Sequence, residues 1–478
     1  MTRTDVSTHS RPSDWSSVHA VVAGVGVAGF AAADQLLHLG ARVTVIDAGD
    51  GPRQRERADI LEVVGATIRL GDGDTLPDAD VLVVSPGLPP RAPVILAAKD
   101  AGVPVWGELE LAWRLRGPDP APWLVVTGTN GKTTTTLMLE SILRAAGLRT
   151  AAVGNIGVSL VDAVMDPVGF DVLAVEVGAP QLPFLLTASP LASVCLNLAP
   201  DHVDLFGSFQ SYAAAKARIY TNTQVAAVYN LADPATERMV AEADVVEGCR
   251  AIGFTLGTPG LSMLGVVDDL LVDRAFVDNR RDSALELASV HDVRPFAPHN
   301  VANALAAAGL ARAFGVPPEA VGEGLRSFAP AGHRIADVAE VDGVRWVDDS
   351  KATNCHAAET SLLAYDSVVW IAGGLAKGQE FDDLVVRARD RIRGAVLLGV
   401  DRDRIRQALV RHAPDVPVVE VSRTDTGAMD DVVDAAAALA RPGDTVLLAP
   451  GCASWDMFGD YAQRGDAFAD AVRRRAQS

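Results

Sequence analysis

The sequence predicts an α/β protein of three domains built on mainly parallel sheets, and three observations lead there. Its 478 residues exceed what one hydrophobic core sustains, and that length corresponds to about three domains. Short apolar runs alternate with helical patterns from residue 19 almost to the end, and strands separated by helices imply a parallel sheet covered on both faces. Glycine-rich turns at residues 24–29 and 127–136 each follow an apolar run and open a helical pattern, the context in which backbone N–H groups meet phosphates.

The first block covers residues 1–118. Its opening stretch, residues 1–17, is polar, lacks a secretory apolar core and reads as a loose tail. A strand at 19–23 leads into Gly24-x-Gly26-x-x-Gly29, a helix over 30–39 and a second strand over 42–46 that ends in Asp47. That order is the pattern of a Rossmann-type nucleotide site. The same glycines would also serve a doubly wound domain that needs them only for tight packing. A further strand at 81–84 runs into Ser85-Pro86-Gly87, and the stiff segment 116–122, with three prolines, closes the block.

The second block, 119–328, holds Thr127-Gly128-Thr129-Asn130-Gly131-Lys132-Thr133-Thr134 after the apolar run 123–126. Glycines let backbone N–H groups approach phosphate oxygens, a lysine spans the β and γ phosphates, and a following hydroxyl ligates Mg²⁺. Gly131, Lys132 and Thr133 fill those roles, so this block is expected to be a P-loop-type ATP-binding domain. Glu176 ends the apolar run 172–175, and Asn197-Leu198-Ala199-Pro200-Asp201-His202-Val203-Asp204 follows another. Open parallel sheets gather ligands at such strand ends. A carboxylate and an imidazole there suit a divalent metal, yet Mg²⁺ prefers oxygen and a lone histidine after a strand is more often structural, so on the residues alone His202 reads first as structural. Residues 253–296 read as a small antiparallel excursion, and 300–314 as helix.

The third block, 329–478, repeats the alternation, with strands at 368–372, 395–398, 418–421 and 445–448 and a helix at 430–440. It is expected to be a Rossmann-like α/β domain.

Composition narrows the function. A formal charge of −19 argues against a nucleic-acid partner, which needs a basic face. No apolar run is long enough to span a bilayer, and a cytoplasmic protein is expected. The four cysteines lack C-x-x-C spacing, against a disulfide framework or zinc site. A monomer is the expected state.

The order T-G-T-N-G-K-T-T, G-N-I-G, Val175-Glu176, N-L-A-P-D-H-V-D and Ala213 to Tyr220 resembles the Mur ligases, most of all the branch that adds D-glutamate to UDP-N-acetylmuramoyl-L-alanine. The likeness runs from Gly24 to about Phe468. It implies an ATP- and Mg²⁺-dependent amide ligase with those two substrates. It implies that Gly128, Thr129, Asn130, Gly131, Lys132, Thr133 and Thr134 bind ATP, joined by Asn300, Asn303, Arg334 and Asp349. Thr133, Glu176, His202 and Lys216 would hold metal, Lys216 as an N-carboxylated side chain, and Lys132, Glu176, His202 and Lys216 would be catalytic. Gly26, Val27, Ala28, Asp47, Ser85, Gly87, Asn155 and Gln181 would bind the uridine nucleotide substrate. Lys351 and Thr353 in D-S-K-A-T-N, with Lys377, Ser454 and Tyr461, would bind D-glutamate.

The chain departs from the family pattern in places. E-L-S-S-F-Q-L reads Glu176-Val177-Gly178-Ala179-Pro180-Gln181-Leu182, Leu375 replaces the aspartate of G-G-D-x-K, and Tyr461 stands where many members carry phenylalanine. These changes spare the phosphate and metal ligands, so they bear on the acceptor more than on the reaction class. With the ATP loop and the acceptor motifs on different blocks, reaction is expected to need domain closure. The alternatives are another amide ligase of the Mur and folylpolyglutamate synthetase superfamily, or a non-catalytic relative. A nicotinamide-dependent dehydrogenase would leave Lys132 and D-S-K-A-T-N unexplained.

Overall fold

The computed structural model describes residues 4–7, 13–201, 203–329, 332–425 and 427–477, with nothing said of the side chains of 203 and 204. The chain divides into two compact units, Met1–Phe328 and Ala329–Ser478.

The first unit carries two sheets. One has the order Thr67–Leu70, Arg42–Asp47, His19–Ala23, Val81–Val84, Val105–Gly107, with every pairing parallel. The strand order reverses between His19–Ala23 and Val81–Val84, which puts the Gly24 turn and Ser85 at the switch point where such sheets bind ligands. The helix after the glycines runs Val27–His38, starting earlier than the expected residue 30. The extended backbone of Gly26 already serves as its N-cap, so Gly29 lies inside the first turn. The tail is not loose where it is described. Val6 and Trp15 are each 1% exposed and join the core with Val18, Leu36 and Trp106, because burying an indole and an aliphatic side chain together outweighs the freedom of a polar tail.

The second sheet has nine strands in the order Leu285–Ser289, Leu270–Asp273, Met263–Val267, Arg250–Phe254, Ala226–Asn230, Ala192–Cys195, Trp123–Thr127, Val172–Glu176, Thr150–Gly154. Its last seven strands pair in parallel, and the first three form an antiparallel ladder. The expected antiparallel excursion therefore exists, as an extension of this sheet. Helices Lys132–Ala145, Pro298–Phe314 and Pro318–Ser327 cover one face of its apolar core.

Between the two sheets, the stiff connector is pinned by stacking. The Arg116 guanidinium lies 3.0 Å from the Trp113 ring centre, and Trp113 meets Trp123 edge-on at 4.9 Å. The preceding helix, Glu108–Arg114, supplies two buried carboxylates to the nine-stranded half. Glu108 accepts from Ser159 Oγ (2.8 Å) and Leu160 N (3.0 Å), capping the helix Leu160–Met165. Its burial raises its pKa, against these hydrogen bonds. Glu110 accepts from the N–H groups of Leu186 (2.7 Å) and Thr187 (2.9 Å), and from Arg114 at 2.8 Å.

The second unit has six strands in the order Ala336–Val341, Val344–Asp348, Thr445–Leu448, Val368–Gly373, Ile392–Leu398, Val418–Glu420. The first pair is an antiparallel hairpin and the rest are parallel. The strands expected at 368, 395, 418 and 445 are all present, the last as expected and the first three with one end moved by one to three residues. Among the described residues no helix is long and apolar enough to cross a membrane.

Candidate functional site

In the first unit the turn after Trp123–Thr127 is shaped by glycine. Gly128 has φ 154° and Gly131 φ 83°, and a Cβ on Gly131 would come within 2.4 Å of Asn303 Oδ1. Gly131 is thus required both by its left-handed backbone and by the close approach of the helix Pro298–Phe314. That contact brings Asn303, and Asn300 which accepts from Asn303 Nδ2 at 3.2 Å, against the loop. Asn130 and Asn197 exchange hydrogen bonds, N–H to Oδ1 at 2.9 Å and Nδ2 to the carbonyl at 3.1 Å. Thr129 is buried, its hydroxyl within 3.0 Å of Tyr212 Oη. Lys132, Thr133 and Thr134 form the first turn of the following helix, whose N-terminal N–H groups and dipole favour an anion.

Two ammonium groups converge on one carbonyl beside this turn. Lys132 Nζ donates to Gly128 O (2.9 Å) and Thr129 O (2.9 Å), and Lys216 Nζ to Gly128 O (2.8 Å). Lys216 is 1% exposed. Burial first, and the neighbouring Lys132 second, lower its pKa to about 7. Across the loop, Glu176 is also 1% exposed. Its Oε1 accepts from Asn155 Nδ2 at 2.9 Å, while Oε2 is buried with no hydrogen-bond partner. Gln181 is complementary. Its Oε1 accepts from Gly178 N at 2.8 Å, and its Nε2 is buried without an acceptor. A buried orphan oxygen and a buried orphan donor are costly unless a ligand meets them. Oxygen donors of this kind suit Mg²⁺. The Gly178 departure leaves room, since a Cβ there would sit 3.3 Å from both Asn155 Oδ1 and Gln181 Oε1.

At the switch point of the five-stranded sheet, Asp47 fixes the glycine turn. Its Oδ2 accepts from Val25 N (2.8 Å) and its Oδ1 from Gly49 N (2.7 Å). Ser85 Oγ donates to Gly24 O at 3.0 Å, and a Cβ on Gly29 would meet that carbonyl at 1.8 Å. Gly24 and Gly29 are therefore needed for packing, while nothing stands within 4 Å of a Cβ at Gly26 or Gly87, which leaves those two positions open to a ligand. Val27 is 63% exposed beside them.

In the second unit a separate cluster gathers at the C-terminal ends of the parallel strands. Lys351 Nζ lies 3.8 Å from the Tyr461 ring centre, and Lys377 Nζ 4.2 Å from that of Trp455. Lys377 is held in a left-handed backbone, φ 51°. The loops of Leu375 and Ala453 are tied by two backbone hydrogen bonds, 2.9 and 3.0 Å, so the Leu375 departure leaves loop pairing intact. Ser454 is buried on the same loop, and Thr353 N donates to Lys351 O at 2.8 Å. Asp348 accepts from His333 Nδ1 at 2.6 Å. Asp349 is bonded to Ser361 Oγ, and burial pushes its carboxyl up to about 7, against the nearby Arg334.

The chain is similar to known proteins along most of its length. Residues 126–311 match the Mur ligase middle domain, 18–107 the N-terminal domain of the MurD-like Mur ligases, and 333–452 the glutamate ligase domain of Mur ligases. The UDP-N-acetylmuramoylalanine–D-glutamate ligase of Streptomyces coelicolor is 64% identical over 466 residues, covering 97% of this chain and 99% of that protein. The chain belongs to the Mur ligase family. The ligase of the same name from Streptomyces avermitilis is 62% identical, covering 96% and 99%. The solved MurF ligase of Thermotoga maritima, in complex with ADP, shares the fold at a TM-score of 0.58 and 17% identity, with 91% and 96% coverage.

Within this Mur ligase the structure brings Lys132, Lys216, Thr133 and the asparagine pair around one turn, with Glu176, Asn155 and Gln181 adjacent in the same unit. Lys351, Thr353, Lys377 and Ser454 lie on loops at neighbouring strand ends of the other unit, as do Arg334 and Asp349, and Tyr461 opens the helix Tyr461–Ala476 there. His202 lies outside the described residues. Two groups were missed from sequence. Trp455 lies against Lys377 and Arg464 bonds Ser350, Cys452 and Gly373, and in sequence Trp455 only follows Ser454 while Arg464 lies three residues after Tyr461.

Proposed function

We infer that the protein is an ATP-dependent ligase that forms the amide between D-glutamate and UDP-N-acetylmuramoyl-L-alanine in peptidoglycan precursor synthesis. The observation that carries this reading is the glycine-shaped lysine loop beside the unpartnered carboxylate oxygen of Glu176, in a chain 64% identical to a D-glutamate ligase. The solved relative that carries ADP is consistent with ATP as the nucleotide.

The chemical difficulty is that a carboxylate is a poor electrophile and an oxide a poor leaving group. In this reading the alanyl carboxylate oxygen attacks the γ-phosphorus, ADP leaves, and the acyl carbon is activated as a mixed anhydride. The D-glutamate nitrogen then attacks that carbon, loses a proton, and expels phosphate carrying the former carboxylate oxygen. Lys132 would release its two carbonyl contacts to hold the β and γ phosphates, and the helix terminus at Thr133 would receive them through N–H groups. Asn300 and Asn303 would border the nucleotide, with Arg334 and Asp349 as further nucleotide contacts. Gln181 Nε2 and Asn155 would meet the uridine nucleotide substrate, whose diphosphate would lie on the turn of Gly26, Val27 and Ala28, with Asp47, Ser85 and Gly87 around it. Lys351, Lys377, Thr353 and Ser454, closed by Tyr461, would orient a dicarboxylate through charge-assisted hydrogen bonds.

Glu176 Oε2, Thr133 and His202 would hold Mg²⁺, which when bound offsets the repulsion between two anions and polarises the γ-phosphate. As an ammonium, Lys216 does not fit a cation. With a pKa of about 7 it holds much free amine near neutral pH, the form that CO₂ converts to an N-carboxylate, and that group would join the ligands. This assignment places the reaction in the cytoplasm, where ATP and the nucleotide sugar occur, and residues 1–118, 119–328 and 329–478 would be its uridine, ATP and acceptor domains.

The test is phosphate release from ATP and Mg²⁺ with UDP-N-acetylmuramoyl-L-alanine, comparing D-glutamate with L-glutamate and other D-amino acids, and identifying the product by mass. Release with D-glutamate and a matching product mass is expected. Release with another acceptor alone would redirect the assignment within the family, and none with any acceptor would leave a nucleotide-binding relative without ligase activity.

A further inference from the structure

The helix Tyr461–Ala476 turns one cation inward. Arg464 is 1% exposed, and its guanidinium reaches three separate loops. Nε donates to Ser350 Oγ (2.9 Å), Nη2 to Ser350 O (2.8 Å), and Nη1 to Cys452 O (3.1 Å) and Gly373 O (3.5 Å). Ser350 Oγ passes a bond on to Tyr461 O at 2.8 Å. Among the described residues its direct acceptors are all neutral, with the carboxylates of Asp348 and Asp456 acting on it only through space.

Each partner sits next to a residue assigned above to the acceptor. Ser350 precedes Lys351, Gly373 opens the loop to Lys377, Cys452 lies just before Ser454, and Tyr461 starts the helix itself. The helix has no slack here, since a Cβ on Gly465 would fall 2.1 Å from His333 Nδ1. A buried guanidinium whose direct hydrogen bonds all go to neutral acceptors is expensive even with carboxylates nearby, and an apolar side chain would pack the same space at less cost. A planar fork of donors is what can tie three loops at once, and an ammonium cannot repeat that geometry. Burial lowers its pKa only to about 10, so the charge persists at neutral pH.

We propose that Arg464 is a positioning residue for the acceptor amino acid, setting the register of the loops that carry Lys351, Lys377 and Ser454 and adding positive potential where a dicarboxylate binds. The inference rests on the acceptor reading of this unit. The four hydrogen bonds of Arg464 are all to protein atoms, so its role is one of placing the loops.

The experiment uses the full chain with Arg464→Lys and Ser350→Ala, measuring KM for D-glutamate, ATP and the uridine nucleotide, kcat, and ATP–ADP exchange in the absence of D-glutamate. Arg464→Lys is expected to raise KM for D-glutamate by about tenfold or more, as misplaced binding groups do. KM for ATP should stay within about twofold, and exchange should persist, because uniform loss of fold would move all of them together. Ser350→Ala should shift KM for D-glutamate the same way by less. An unchanged KM for D-glutamate in a folded Arg464→Lys, or parallel rises in all three KM values, overturns the proposal. If Arg464→Lys does not fold, Ser350→Ala decides by the same criterion. Should the unaltered chain form no amide with D-glutamate, the ligase assignment falls first. If it does form the amide and both variants behave like it, only the role of Arg464 falls.

Discussion

The nucleotide cluster and the acceptor cluster are held in opposite ways. Around Gly131 and Lys132 the shape comes from backbone, with positive-φ glycines, an asparagine pair and buried polar atoms, Glu176 Oε2 and Gln181 Nε2 among them, that are left unmet. In the proposed acceptor cluster Lys351 and Lys377 each rest on an aromatic face, while Arg464 behind them is buried. Polyphosphate is common to every turnover and rewards a prebuilt cradle, because preorganised donors cost nothing at the moment of reaction. On the proposed assignment, a small amino acid would be bound by side chains that exchange a cation–π contact for a carboxylate, which is worth less and adapts more.

Substitutions can break this contrast. Lys132→Met should reduce turnover about a thousandfold, the scale for removing a charge that stabilises phosphoryl transfer, with thermal unfolding nearly unchanged. Turnover within tenfold of the parent would mean the loop is not the phosphate site. Gly131→Ala places a Cβ 2.4 Å from Asn303 Oδ1 at φ 83°, and kcat/KM for ATP should fall by about a hundredfold, while acceptor binding, followed by calorimetry, holds. Lys377→Ala should raise KM for D-glutamate by about tenfold, one charge-assisted contact, with KM for ATP constant. Trp455→Leu should move the same parameter only about threefold, the weight of an exposed cation–π contact, and Trp455→Phe should restore most of it.

The buried amine of Lys216 sharpens the contrast through pH. Its folded pKa is about 7 against an ordinary 10.5, so between those values the unfolded chain binds a proton that the native chain does not. Stability contributed by this group therefore rises with pH across that window. In CO₂-free buffer the urea midpoint of the parent should gain on that of Lys216→Met between pH 7 and pH 9. Parallel midpoints would mean that the amine is solvated.

Much of the fold was legible because apolar runs, glycine turns and strand ends are local. The strands at 81–84 and 445–448 were placed to the residue, and Gly131, Lys132 and Asn303 converge as their motifs imply. What stayed hidden depends on distant contacts. Trp15 looks like tail until the core that receives it is assembled. The weak Rossmann signature proved ambiguous for a physical reason, since Gly24 and Gly29 are consumed by packing and Gly26 alone is open. Arg464 looks like any helix cation in sequence, and only the meeting of three loops shows which way it faces. Lys216 likewise sits in a polar-looking helix whose burial is set by the loop of Gly128.

The carboxylates of Glu108 and Glu110 bear on how this chain could be cut or recombined. The proline-rich stretch 116–122 invites a splice, yet the helix just before it caps Leu160 and clasps Leu186 and Thr187. A shortened chain beginning at residue 119 would leave those amides bare and should be insoluble or readily proteolysed. A chimaera joined ahead of Glu108 carries its own clasp and should be the portable piece. The seam along which such modules could be exchanged thus falls before the helix, at Gly107, and not at the proline-rich stretch that the sequence marks most heavily.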